Sequence, residues 1–243
     1  MTFSSSSVNL NKTVREVEDT SEILEFLMRD PYLHLYEIGD LDDFFRPHTR
    51  WYATGGLDAV FLVYDPGQLP VLLALEEKRK GAAGALLTEL LPKLPRKFYA
   101  HLSPHLAPIL ARERKLEPHG RHLKMALSHA VLGESDRDLR ALDPLELETV
   151  RSFYARAYPG NWFDPRMLET GQFVGGFEDG DLVAVAGIHV YSSKFKVAAL
   201  GNIAVAPMHR SRGCGRAVPE FLCRRLEWLE PIGLNPHLES EAA

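Results

Sequence analysis

The stretch from Ile203 to Leu229 constrains this chain more than any other. Ile203-Ala204-Val205 reads as the end of a β-branched strand that stops before Pro207. A basic turn follows, Arg210-Ser211-Arg212-Gly213-Cys214-Gly215-Arg216, carrying two glycines. Beyond it Val218, Phe221, Leu222, Leu226 and Leu229 fall at helical spacing, with Glu220, Arg224 and Glu227 between them on the wet face. A strand that feeds a glycine-rich turn at a helix N-terminus leaves backbone N–H groups unpaired at the positive end of the helix dipole. Such a place binds phosphate. Gly213 and Gly215 let the backbone approach an anion closely, and Arg210, Arg212 and Arg216 add positive charge around it. For the turn alone, a strain-relieving surface loop with solvated arginines is the plain alternative. The flanking strand and helix favour the anion site.

Two other phosphate loops fit worse. The chain has no Gly-Lys-Ser/Thr to make a Walker loop there, and no full Gly-x-Gly-x-x-Gly with a following acidic residue. Arg210-x-x-Gly213-x-Gly215 behind a Val-x-Pro strand end instead resembles the acyl-CoA pyrophosphate loop of the GNAT (Gcn5-related) N-acetyltransferase superfamily. The resemblance implies acetyl-CoA as cosubstrate. It assigns the diphosphate to Arg210, Ser211, Arg212, Gly213, Cys214, Gly215 and Arg216, and the thioester to the backbone of Ile203, Ala204 and Val205.

The formal charge of −5 argues against a general nucleic-acid binder, and the basic residues concentrate around 207–225. Cys214 and Cys223 offer neither a disulfide framework nor metal spacing, so a reducing cytoplasm and no metal are expected. No apolar run reaches the length of a membrane span, and Met1–Val14 lacks the layout of a signal peptide. Residues 1–14 read as a disordered tail.

The remaining sequence shows one layout twice. From Asp138 the second half reads as a strand and then a helix opened by Asp143-Pro144-Leu145-Glu146. A short helix at Pro165–Glu169 and a hairpin about Asp179-Gly180 follow, then a strand over Phe195–Val205, the glycine loop with its helix, and a strand at Ile232–Asn235. The first half repeats this order with helices at Asp19–Met28 and Pro31–Ile38, a hairpin about Asp65-Pro66-Gly67, and a helix after Lys78-Arg79-Lys80-Gly81. A shift of 132 residues lays Lys78, Gly81 and Ala83 on Arg210, Gly213 and Gly215. The expected fold is α/β: two GNAT-like modules, each a central, mainly antiparallel twisted sheet flanked by helices. A degenerate module spans 15–128 and an acyl-CoA-binding module 138–243, with the boundary in 128–137. Chance similarity of two α/β halves is the alternative.

Two departures from the family stand out. The first half continues through a helical Pro104–Arg112 and a strand-like His119–Leu127, whereas the second stops eight residues after Asn235. The resemblance implies a further helix there, which commonly supplies a tyrosine as general acid, and two more strands. The second sheet is therefore expected to have an incomplete edge, filled by the other half or by a second copy of the chain in a homodimer. Pro219, inside the loop's helix, removes the N–H that would bond to Gly215.

Acetyl transfer to an amine also needs a base. His189 is the imidazole on the third and fourth strands, and alternation places it with Val185, Gly187 and Tyr191. A hydrogen-bonded structural histidine is the alternative. Asn202 is a candidate to bind the acyl-CoA or orient a water, or to satisfy local backbone groups. Glu178 and Asp179 read as turn residues, and Trp162 and Phe163 as acceptor-pocket lining or core. Three readings remain open: an N-acetyltransferase acting on an amine of a small molecule or protein, a non-catalytic acyl-CoA-binding or interaction module, and a shortened product without activity.

Overall fold

The computed structural model describes residues 14–67, 69–76, 81–127 and 135–238. The expected tail, the Lys78-Arg79-Lys80 run and most of the expected boundary lie outside them. The chain forms two compact units, one within Met1–Asp30 and Pro47–Pro118, the other within Pro31–Arg46 and His119–Ala243. The expected modules differ from these units at two segments, 31–46 and 119–128.

In the first unit, β1 (Arg15–Glu16), β2 (Thr49–Ala53), β3 (Val60–Tyr64), β4 (Val71–Ala74) and β5 (Tyr99–Leu102) lie side by side in chain order. All neighbours are antiparallel except β4 and β5. Helix α1 (Thr20–Leu27) starts where the Asp19 carboxylate accepts from the Ser21 and Glu22 amides. The next helix along the chain, α2 (Leu35–Gly39), belongs to the second unit. Helices α3 (Ala82–Leu90) and α4 (Ala107–Leu110) complete the first, with Leu86, Leu87 and Leu90 buried against Phe61 and Leu72.

The second unit holds β6 (Met125–Ala126), β7 (Asp138–Ala141), β8 (Val174–Glu178), β9 (Asp181–Ser192), β10 (Val197–Val205) and β11 (Ile232–Leu234). Their order across the sheet is β6-β11-β10-β9-β8-β7, again antiparallel except for β10 and β11. From β7 to β11 this repeats the order and strand sense of β1 to β5. The fold is thus α/β with two mixed sheets flanked by helices, and the repeated layout is consistent with the tandem reading. Helix α5 (Leu147–Ala157) follows the expected capping box, in which Asp143 and Glu146 satisfy each other's backbone N–H groups. Helix α6 (Cys214–Arg225) runs through Pro219, which lies in its second turn and removes the N–H that would donate to the Gly215 carbonyl.

Helices α5 and α6 cover opposite faces of the sheet. Val218 of α6 lies over Gly176, which pairs with Ala184, while Phe173 fills the face of Gly187, three residues along β9 from Ala184. Phe173 meets Phe163 edge to face, and Phe163 lies against Tyr154 of α5, so Phe163 packs partly buried against the core while Trp162 remains half exposed.

The edge expected to be incomplete is closed from within the chain. Met125 and Ala126 pair with Leu234 and Gly233, and His122 bridges to His237. The strand-like segment expected to finish the first module therefore finishes the second sheet. Helix α2 packs on the α5 face beneath β9, β10 and β11: Leu35 lies against Gly233, and Gly39 leaves no room for a Cβ beside Val190. Burying Leu35 and Ile38 here is the hydrophobic reason the segment docks. Strands β1 and β2 escaped the sequence reading.

Candidate functional site

Between β10 and α6 the backbone turns through two left-handed residues, Ser211 at φ +59° and Gly213 at φ +86°. Alternating left-handed residues of this kind aim successive N–H groups into one concavity, an anion nest. The amides of Ser211, Arg212, Gly213, Cys214 and Gly215 have no acceptor among the described residues, whereas those of Arg216 and Ala217 bond to the Gly213 carbonyl. Five unpaired donors thus meet at the N-terminus of a twelve-residue helix. The three arginines are held in different ways. Arg210 donates to the Val205 and Ala157 carbonyls at 3.3 and 3.4 Å, Arg216 pairs with Glu220 at 2.7 Å, and Arg212 lies 3.9 Å from Glu178.

Glu178 does more than turn the chain. Its carboxylate faces His209 Nδ1 at 2.9 Å and Arg137 at 3.4 Å. The His209 hydrogen bond first, then the charges of His209, Arg212 and Arg137, hold its carboxyl below the usual range against some desolvation. Arg137 also donates to the Arg212 carbonyl and to Cys214 Sγ. The loop is therefore braced by a strand end and by the segment before β7. No spacing in the sequence announces this brace, because its members lie far apart along the chain.

Strand β10 is irregular where the site requires it. Its pairing with β11 covers only Ala198–Leu200, so beyond Leu200 this edge of β10 has no pairing with β11. On the other side, Gly201 pairs with Gly187 and Ala204 with Val185, leaving a bulge at Asn202 and Ile203. Asn202 takes φ +53°, and its carbonyl accepts a 2.5 Å hydrogen bond from the Tyr154 hydroxyl. Its side-chain Nδ2 donates to the Ile188 carbonyl at 3.3 Å, while Oδ1 is buried without a partner. Ile203, Ala204 and Val205 continue β10 from this bulge to the loop.

His189 sits at a second irregularity. Ile188 pairs with Leu200 and Val190 with Ala199, so His189 is the extra residue and the expected alternation through Tyr191 is interrupted. Its half-buried ring covers Gly201, where any Cβ would overlap it. Burial pushes the imidazole down to about 4, so it is neutral at pH 7. Tyr36 of α2 stands beside it, ring centroids 6.2 Å apart, with Lys124 Nζ 4.8 Å from the Tyr36 ring. Burial first, and then Asp40 and Glu37, raise the Tyr36 hydroxyl and keep it protonated. Beneath it, Glu37 meets His34 at 3.2 Å; burial opposes its charge, but His34 and Lys124 outweigh that and hold its carboxyl low. Tyr36, on an apparent first-half helix, carried no sequence signal for this site.

The structure thus places the loop residues at one end of β10, and Asn202 and His189 at the two irregularities of the β9–β10 pair. Among the described residues no group of three His, Cys, Asp or Glu could hold a metal ion, and no helix is long and apolar enough to cross a membrane.

Residues 138–237 match the family model described as acetyltransferase (GNAT) family. Among solved structures, a Drosophila protein superposes with a TM-score of 0.65 at 13% identity, over 94% of this chain and 90% of its own. A GNAT-family acetyltransferase from Colwellia psychrerythraea gives 0.53 at 16% identity, over 93% and 90%. A GNAT-family protein from Novosphingobium aromaticivorans gives 0.50 at 18% identity, over 75% and 78%. At these identities the likeness is one of fold. No curated protein matches the sequence.

Proposed function

Residues 138–237 form a domain of the acetyltransferase (GNAT) family, and from that premise we propose that the chain transfers an acetyl group from acetyl-CoA to an amine. The observation that carries this reading is the run of five unpaired amides, Ser211 to Gly215, at the start of α6, beyond the part of β10 that pairs with β11. The diphosphate sits in the nest, where backbone donors and the helix dipole favour it. Arg210, Arg212 and Arg216 turn from their present partners toward it. The pantetheine arm follows the β10 edge beyond Leu200 and brings the thioester to the backbone of Ile203, Ala204 and Val205.

There the amine attacks the thioester carbonyl, and charge gathers on its oxygen. Backbone N–H groups at the bulge stabilise that oxyanion. His189, neutral because it is buried, accepts the proton that the attacking nitrogen sheds. Tyr36 is the proton source for the departing thiolate. Asn202 fixes the bulge through its bond to Ile188.

The non-catalytic alternative has one observation in its favour: an imidazole held near 4 is a weak base at pH 7. Thiol release from acetyl-CoA by the purified chain, followed over a panel of amines, decides between them. Amine-dependent release that His189→Ala lowers supports transfer. Tight CoA binding without any release supports the binding module.

A further inference from the structure

The hydroxyl of Tyr154 makes a 2.5 Å hydrogen bond to the Asn202 carbonyl, at the one residue of the β10 bulge with a left-handed backbone. Tyr154 is almost fully buried and reaches the strand from α5. An ordinary strand directs each carbonyl toward a neighbouring strand. Here the carbonyl is turned instead toward the α5 face. A trans peptide sets its N–H opposite its C=O, so the same bond aims the Ile203 N–H away from α5, toward the face that carries α6 and its loop.

We propose that Tyr154 is a positioning residue: by holding the Asn202–Ile203 peptide in this turned orientation it fixes the Ile203 amide as the donor to the thioester carbonyl. This rests on the acyl-CoA reading above. Asparagine tolerates the left-handed conformation better than other residues with a side chain; its Nδ2 anchors to Ile188, while the phenol is the group that holds its carbonyl. Its ring is locked between Phe153 and Phe163, with centroids 5.5 and 5.1 Å away, which makes the hydroxyl a rigid donor. The bond does not touch the diphosphate loop. Its effect therefore falls on the acyl group and spares the nucleotide.

The test compares two ligands on the intact chain. Acetyl-CoA carries the thioester carbonyl and CoA does not, while their nucleotide ends are identical. Tyr154→Phe keeps the ring packing and removes only the hydroxyl. Calorimetry is expected to show unchanged CoA affinity and an acetyl-CoA affinity lowered about fivefold relative to it. Transfer by the variant falls at least tenfold in kcat, and the acetyl-CoA KM rises by no more than the fivefold loss of affinity. The infrared band of bound acetyl-CoA, labelled with 13C at its carbonyl, moves to higher wavenumber as the carbonyl loses its donor. Equal losses for both ligands mean that Tyr154 only supports the fold, and unchanged values for both mean that it does nothing at the site. Either result overturns the inference and leaves the acyl-CoA reading standing. A wild-type chain that binds neither ligand overturns that reading and the inference with it.

Discussion

Gly81 and Gly213 occupy the same backbone state 132 residues apart, with φ of +82° and +86°, each as the residue that opens the helix joining two parallel strands, β4 to β5 and β10 to β11. Only glycine adopts this conformation without strain. The pair ties the two halves together at the level of backbone geometry, although the sequences around them have diverged to Ala82-Ala83 in one and Cys214-Gly215 in the other. The second copy has the nest built around it.

The docking of α2 on the second sheet predicts a steric effect at a distance in sequence. A Cβ on Gly39 would collide with the Val190 side chain. Gly39→Ala is therefore expected to cost ~1–3 kcal/mol, read by urea denaturation. In the double variant with Val190→Ala most of that cost disappears, because the two residues share the space. Additive losses would show that α2 does not lie against β9.

Arg137 offers a second check. Its guanidinium binds the Arg212 carbonyl, Cys214 Sγ and Glu178, and so braces the loop without needing to contact a ligand. Arg137→Ala is expected to weaken CoA binding about three- to tenfold while changing the melting temperature little, since the ion pair with Glu178 is partly exposed. Unaltered affinity would assign the brace no part in ligand binding.

The His189 imidazole sets a pH dependence. His189 in the folded chain is pushed down to about 4, against about 6.5 when unfolded. Between those values the unfolded chain holds the extra proton, so stability rises with pH through the window and is lost as pH falls toward 4. His189→Gln should flatten this slope by on the order of 2–3 kcal/mol across the window. Measuring the difference between the two proteins separates this group from Asp40, whose buried carboxyl is raised and titrates with the opposite sign. Parallel slopes would place the His189 ring in solvent.

Much of this architecture was legible before the structure. The helical spacing after Gly213 and the hairpin about Asp179-Gly180 are local, and local chemistry decided them. So is the capping box at Asp143. What was illegible is non-local. Strand β6 is two residues long and takes its place only because β11 needs a partner. Helix α2 has five residues, and its destination depends on the fit of Leu35 and Gly39 to another sheet. The bulges at His189 and Asn202 break the period-two pattern on which sequence reading of strands depends. Tyr154 shares the buried face of α5 with Val150, Phe153 and Ala157. Its hydroxyl bond to Asn202, 48 residues away, is visible only in the fold.

The loop from Arg210 to Arg216 is the proposed place where acyl-CoA is held. Titration calorimetry of CoA into the intact chain, into Gly213→Asp and into Gly81→Asp tests it most directly. One CoA per chain is predicted for the wild type and for Gly81→Asp. Binding is lost in Gly213→Asp, which forces a side chain into a left-handed position and sets a carboxylate where the phosphate should lie. Undiminished binding by a folded Gly213→Asp variant would contradict the account.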